Sequence, residues 1–391
     1  MHKFWGGVAG LAVALVGFGS ANAQGTIKIG IINPYSGQFA DTAAQMDNAI
    51  KLYVKQHGDV VAGKKIELIR KDTGGVAPDI AKRLAQEPIV RDHCDILAGF
   101  DLTPNALAAG DVSQEARKFM VVMNAATAII TTKSSYMART SSTTPQLNQT
   151  LGTWAAKHGS NRAYTMVSDY GPGLDAENAF DIGFKEAGGE IVGAVRFPVA
   201  NPDFSAFVQR AKDVDPDTIY IWIPGGAQPA AVGKALAERG VDATKTKILG
   251  QDVLTDDNAI KSMGDAAIGI TTVTIYNYNH DSQLNHEFVT AYRADYNRTP
   301  DIFSIGGYDG MHLIYEALKK TDGNTDGNAL IAAAKGMRWE SPRGPILIDP
   351  ETRDIVQTVY IGRVEKVDGG LRWVEIDKVE NVKDPVKARM K

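Results

Sequence analysis

From Thr26 to Ile275 the sequence alternates, twice over, between short apolar runs and longer stretches whose apolar residues recur at helical spacing. Short apolar runs bounded by turn residues suit buried strands, and strands alternating with amphipathic helices build βαβ units on a mostly parallel sheet. The first series reads as a strand at Ile27–Ile32, a helix at Gln38–Gln56, a strand at Lys65–Arg70 and a helix at Pro78–Arg91. It continues with a strand at Asp95–Gly99, a helix at Pro104–Arg117 and a strand at Phe119–Met123. After the polar run Thr140–Thr144 the pattern restarts, with strands at Ala163–Val167, Ile191–Phe197, Thr218–Ile223, Ile248–Gly250 and Gly269–Ile275. Helices at Leu174–Ala187, Phe204–Lys212 and Ala230–Arg239 lie between them. Two such series in 391 residues exceed one core, because single cores stop growing beyond roughly 250–300 residues. The expected fold class is α/β, with two doubly wound parallel-sheet lobes.

The two ends read differently. Lys3, the apolar stretch Phe4–Phe18 and the small-residue site Ala21-Asn22-Ala23 have the layout of a secretory signal peptide cleaved after Ala23. Residue 24 is Gln rather than Cys, which argues against a lipid-anchored form. No later stretch approaches the ~18 apolar residues of a membrane span, so an exported, periplasmic protein is expected. Loss of Lys3 with the leader takes the formal charge from −4 to −5, without the basic stripe that nucleic-acid binding requires. The lone Cys94 cannot form an internal disulfide and reads as a small buried hydrophobe. Towards the C-terminus come helices at Asn285–Asp295, Gly310–Lys319 and Gly327–Lys335, a strand at Ile346–Ile348, and a hairpin. Its arms, Ile355–Lys366 and Leu371–Ile376, flank Asp368-Gly369-Gly370. The charged end after Asp377 is expected to be loosely ordered.

The chemistry the residues offer is capture rather than turnover. There is no nucleophile elbow, phosphate loop or dinucleotide fingerprint, and the histidines show no close pair with a third ligand nearby. No catalytic residue, metal or cofactor is expected. Open α/β sheets bind ligands beyond the carboxyl ends of their strands. The strand Phe119–Met123 runs into Asn124-Ala125-Ala126-Thr127, where alanines admit a ligand to the main chain and Thr127 offers a hydroxyl. The stretch Ala98–Pro104 has the same plan, with Thr103 as N-cap and Pro104 at the first helical position. Unpaired N–H groups and the positive end of the helix dipole suit a carboxylate there. The same residues also fit an ordinary turn and a Thr103 that caps its own helix and nothing more.

Several stretches resemble the periplasmic binding proteins for leucine, isoleucine and valine, within the wider branched-chain amino-acid and amide uptake family. They are Ile29-Gly30 with Ser36-Gly37, Lys65–Leu68 with Asp72, Asn124–Thr127, Ser168–Gly171, Asp203–Ser205, Gly250–Asp252, Gly307–Asp309 and Gly344-Pro345. The resemblance implies two lobes about a cleft joined by a three-strand hinge, crossing near Arg139–Thr144, Ile270–Thr274 and Glu340–Gly344. It assigns 24–141 and 273–341 to lobe 1, 142–272 and 342–376 to lobe 2, and 377–391 to a tail. It implies a ligand carboxylate held at Thr103 and Thr127, with the Ala125 carbonyl beside them and Tyr170 and the Gln228 loop closing from the second lobe. Asp252 falls where the family sets an acid against a ligand ammonium, and Tyr308 matches a cleft aromatic or packs in the core.

The sequence departs from the leucine-type pattern. The family disulfide cannot form, the loop Pro224–Pro229 has no tyrosine, and Thr42 replaces a pocket tyrosine, with Tyr35 and Phe39 nearby. The expectation is a monomeric solute-binding protein of an ABC importer, not an enzyme, that presents a small carboxylate-bearing solute to an inner-membrane permease. Asp252 weighs towards an amino acid or amide as that solute. An aromatic, benzoate-type acid is the alternative, and it fits if Asp252 only caps the following turn. A ligand-sensing subunit docked on a membrane receptor would use the same lobes.

Overall fold

The computed structural model describes residues 1–2 and 25–389, so the leader and its cleavage site lie outside the described residues. The first series forms β1 (Thr26–Asn33), α1 (Ala40–His57), β2 (Val60–Val61), β3 (Lys64–Asp72), α2 (Pro78–Val90), β4 (Ile96–Gly99), α3 (Thr103–Ala116), β5 (Met120–Val122) and β6 (Met137–Arg139). These strands make one sheet in the order β2-β3-β1-β4-β5-β6, parallel except for the short edge strand β2. The second series forms α4 (Thr144–Lys157), β7 (Arg162–Ser168), α5 (Gly171–Glu186), β8 (Glu190–Phe197), α6 (Phe204–Asp213), β9 (Thr218–Trp222), α7 (Gln228–Glu238), β10 (Lys247–Gln251), α8 (Asp257–Met263) and β11 (Thr271–Thr274). The chain then gives α9 (Gln283–Tyr296), α10 (Ile302–Lys320) and α11 (Gly327–Ala334). It ends with β12 (Arg338–Ser341), β13 (Gly344–Ile348), β14 (Ile355–Val367), β15 (Gly370–Val382) and α12 (Pro385–Ala388). The second sheet runs β12-β13-β14-β11-β10-β9-β7-β8, with β15 paired to β14.

Both sheets are coated by helices, as near-continuous apolar strands require. Helices α9 and α10 return to the first lobe, where α10 lies along α1. Gly306 makes that return possible, because a Cβ there would stand 2.1 Å from the Met123 carbonyl at the end of β5. The hairpin turn Asp368-Gly369 has φ of 51° and 80°, the left-handed pair a two-residue loop demands.

Several expectations are corrected. The described residues after Asp377 form regular structure: β15 continues to Val382, and Asp384 caps α12 by accepting from the Lys387 N–H at 2.8 Å. The second crossing follows Thr274 rather than ending there, because β11 pairs with β10 and β14. β12, assigned by the resemblance to the first lobe, pairs with β13 in the second sheet, while the Trp339 indole still donates to Asp309 of α10. Helix α4 is absent from the sequence reading, although Thr143 and Gln146 form a reciprocal capping box with Pro145 in the first turn. Helix α10 begins eight residues before the expected Gly310, at the Asp301–Ser304 capping box.

Candidate functional site

The carboxyl ends of the two sheets face each other, and their loops touch. The Ala128 N–H donates to Asp175 Oδ2 of α5 at 2.9 Å. Gly226, at φ 65°, lies so close to the 3₁₀ turn Gly37–Phe39 that a Cβ would stand 2.5 Å from the Gln38 carbonyl. Between the lobes is a cavity of about 50 Å³. Asp101, Thr103, Asn124, Ala126, Ser141 and Ser142 line one side, Tyr170, Trp222, Gln251 and Asp252 the other, with Phe303 at the margin. Beyond Asp252, Val253, Ile302 and Phe303 it adjoins a larger chamber of about 320 Å³ that Thr42, Gln45, Thr274 and Asp301 help to line.

The first lip is built by a strained turn. Gly99 ends β4, and Phe100, fully buried, takes φ 63°, a left-handed conformation that costs a bulky residue about 1–2 kcal/mol. Hydrogen bonds hold it there, from the Phe100 N–H to the Ile32 carbonyl and from the Ala125 N–H to the Phe100 carbonyl, both 2.9 Å. The turn carries Asp101 to the cavity, where Thr42 Oγ1 donates at 2.5 Å and Asn124 Nδ2 at 2.7 Å. Burial nevertheless raises Asp101 to about 6. Thr103 lines the cavity and accepts from the Thr127 hydroxyl at 3.1 Å, which leaves its own O–H to donate forward. The Thr127 hydroxyl also stands at the lobe junction, where a Cβ on Gly171 at the start of α5 would lie 3.3 Å from it. Ser141 Oγ, buried in the cavity wall, has no hydrogen-bond partner among the described residues. Helices α3 and α5 both begin at the cleft with no acidic residue in the first turn, so their positive ends are not neutralised there.

The second lip is aromatic. Tyr170 and Trp222 stand with ring centroids 5.8 Å apart. The Trp222 indole donates to Gln251 Oε1 at 2.8 Å, and Asn148 Nδ2 donates to the same oxygen at 3.1 Å. The Tyr220 hydroxyl fixes Asn148 in turn, at 2.6 Å. Asp252 accepts from its neighbour's N–H, Val253, at 2.8 Å, and Thr274 Oγ1 lies 3.5 Å from its other oxygen. Burial, which outweighs these bonds, raises Asp252 to about 7.

The structure gives several expected residues other positions or partners. Thr103 is the first residue of α3, not its N-cap; Leu102 holds that position and no side chain caps the helix. The Ala125 carbonyl accepts from Arg139 Nη1 at 3.1 Å. Tyr308 lies within α10 and packs on Tyr53, His57 and Phe288, with its hydroxyl donated to Gln56 at 2.7 Å. The Gln228 amide donates to the Val199 carbonyl at 2.7 Å within the second lobe. Phe39 is buried beneath the Gly226 loop. Asp101, Ser141, Trp222 and Phe303 are cleft residues the sequence reading passed over. Asp101 sits inside the Ala98–Pro104 stretch and was detectable; Trp222 reads as strand interior.

Among the described residues no group of three or more His, Cys, Asp or Glu is placed to hold a metal ion, and no helix is long and apolar enough to cross a membrane.

Comparison with known proteins agrees with this geometry. A profile of the periplasmic binding protein family matches residues 26–370. A Leu/Ile/Val-binding protein homologue of Brucella melitensis is 38% identical over 369 residues, 94% of this chain and 95% of its own. A solute-binding protein of an ABC transporter from Rhodopseudomonas palustris BisB5, solved with 3,4-dihydroxybenzoic acid, is 52% identical with a TM-score of 0.89, over 93% of this chain and 99% of that one. Another from R. palustris HaA2, solved with p-hydroxybenzoic acid, is 38% identical with a TM-score of 0.90, over 93% and 100%. The Leu/Ile/Val-binding relatives and the two-lobed α/β fold agree with the family expected from the sequence. That family consists of ABC-transporter binding proteins that carry small solutes to permeases, not of enzymes, and its place is the periplasm. With two helix-coated sheets closing on a hydroxyl-rich lip and an aromatic one, this chain belongs to the periplasmic binding protein family, as a solute-binding protein of an ABC transporter.

Proposed function

We propose that the solute is a small aromatic carboxylate of the hydroxybenzoate class, held ring-first against Tyr170, Trp222 and Phe303. The observation that carries this reading is the second lip: two large rings, tilted 50° to each other and one of them pinned through its indole N–H, form an apolar wall with hydrogen-bonding groups at its edge. An aliphatic amino acid would leave that wall half used. The carboxylate goes to the opposite lip, to the Thr103 hydroxyl, the unpartnered Ser141 hydroxyl and the start of α3, with the start of α5 facing it from the second lobe. Thr127 supports it through its hydrogen bond to Thr103.

The weight placed on Asp252 for an ammonium ligand shifts with the geometry. Asp252 already accepts from Val253, and at about 7 it is largely protonated at mildly acidic pH. A neutral carboxyl suits a ring hydroxyl as donor or acceptor. The aromatic acids in the two R. palustris relatives agree with this reading. The protein itself turns nothing over, acts as a monomer and hands its solute to an inner-membrane permease. The leader directs it to the periplasm and is removed after Ala23.

Titration calorimetry with 4-hydroxybenzoate, 3,4-dihydroxybenzoate, leucine, valine and phenylalanine tests the assignment. The two acids are expected to bind and the amino acids to bind weakly or not at all. Tighter binding of leucine or valine would overturn it.

A further inference from the structure

The C-terminal turn reaches the ligand loop through a buried chain of charges. Lys387 of α12 is 7% exposed, and its ammonium group donates to Thr131 Oγ1 and to Asp354 Oδ2. The other oxygen of Asp354 accepts from Arg139 Nε at 3.0 Å and Nη2 at 2.7 Å. Arg139 is fully buried at the end of β6, and Nη1 donates to the carbonyls of Ala125 at 3.1 Å and Thr127 at 2.9 Å. Nη2 also reaches the Ala128 carbonyl at 3.4 Å. The guanidinium thus grips the segment that carries Thr127, whose hydroxyl donates to Thr103. A few residues on, Arg389 lies 3.4 Å from Glu186 of α5, so the same turn touches the second lobe.

We propose that Lys387 is a positioning residue for ligand binding, acting through Asp354 and Arg139 to fix the Ala125–Ala128 loop, and through it Thr103, against the ligand carboxylate. The assignment of the carboxylate to this lip rests on the function proposed above; the mechanical link from Lys387 to the loop does not. Without the ammonium, Asp354 Oδ2 is buried with no strong donor, a costly state in a protein interior. The carboxylate relieves it by turning, and Arg139 turns with it.

Two arms keep the link and the ligand assignment apart. In ligand-free protein, Lys387→Met is expected to raise amide hydrogen exchange at Ala125 and Ala128 while β1 and α10 keep their protection. Unchanged loop exchange, or a uniform rise over the whole chain, overturns the positioning role. In the second arm, 4-hydroxybenzoate and 4-hydroxybenzamide are titrated into wild type, Lys387→Met and Lys387→Arg. Lys387→Met is expected to lose affinity for the acid by about tenfold, with a smaller loss for the amide, and Lys387→Arg to recover most of it. A fall in melting temperature with an unchanged acid-to-amide ratio marks a merely structural lysine and overturns the proposal. Failure of wild type to bind the acid overturns the ligand assignment alone, and the exchange arm then decides the link. Should Lys387→Met not fold, Thr131→Val removes the other partner of the ammonium more gently and is read by the same two arms.

Discussion

The two lips of the cleft are built by the same topology and do different work. On the first, strand ends lead into small and hydroxylated residues, with Ala126, Thr103 and Ser141 at the surface and Thr127 and Arg139 hydrogen-bonded in support. On the second, strand ends lead into Tyr170 and Trp222, backed by Gln251, Asn148 and Tyr220. In the function proposed above, the hydroxyl-rich lip with the start of α3 holds a carboxylate whatever it is attached to. An aromatic lip recognises the attachment. That proposal separates affinity for the class from choice within it, lobe by lobe, and substitutions on each side should then have different signatures.

The largest effect is expected at Trp222. Trp222→Ala should lower the unfolding free energy by about 3–5 kcal/mol, as deletion of a buried large ring does, and should remove the preference for aromatic over aliphatic acids of equal charge. Denaturant unfolding and competition titrations measure the two; a preference that survives would break the assignment of ring recognition to the second lip.

Thr103→Ala comes next. Loss of a hydrogen bond to a charged group, about 1.5–3 kcal/mol, weakens binding roughly 10- to 100-fold, by the same factor for every ring substitution. Stability should fall by about 1–3 kcal/mol, because the buried Thr127 hydroxyl loses its acceptor, although Thr103 makes no capping bond to its helix. Thr127→Ala, one bond further back, should cost less, about 0.5–1.5 kcal/mol. A reversed order would put Thr127 at the ligand and Thr103 behind it.

The last effect, smallest when read over a single pH unit, is a pH dependence on the second lip. Folding raises Asp252 to about 7, so between the unfolded value near 3.8 and about 7 the native state holds a proton the unfolded chain has released. Stability from this group therefore falls as pH rises through that window and is level above it. Asp252→Asn lacks the loss, and its advantage over wild type should grow by at most about 1.4 kcal/mol per pH unit up to pH 7. Parallel stability curves for the two proteins would show that Asp252 is not held protonated.

The asymmetry between the lips also explains what the sequence could show. The first lip was legible because its signals are local: an apolar run, then Asn124–Thr127, and a Thr-Pro pair opening a helix. Even there Thr103 was placed one position early, since threonine before proline has the pattern of a cap whether or not its side chain is used. Trp222 was not legible, because at the end of Thr218–Trp222 an aromatic is what any buried strand carries. Tyr308 could be read either as a cleft aromatic or as core packing, and its ring packs on Tyr53 and Phe288 across contacts far apart in sequence. The regular structure of the tail was hidden too. The charged residues that suggested a loose end include Lys387, whose partners Asp354 and Thr131 no local pattern could reveal.

The return of α10 to the first lobe bears on how the chain acquires its structure in time. The whole first sheet lies within Thr26–Arg139, yet α1 is packed by a helix that begins at Ile302. The Tyr292 hydroxyl reaches back to the Gln45 carbonyl at 3.1 Å, 247 residues earlier. A growing chain therefore holds an uncovered apolar helix face until about three-quarters of it has been made. Closing loops of that length costs entropy before any contact rewards it, and it slows folding. The first lobe therefore completes its cover late, only after α10 has been made.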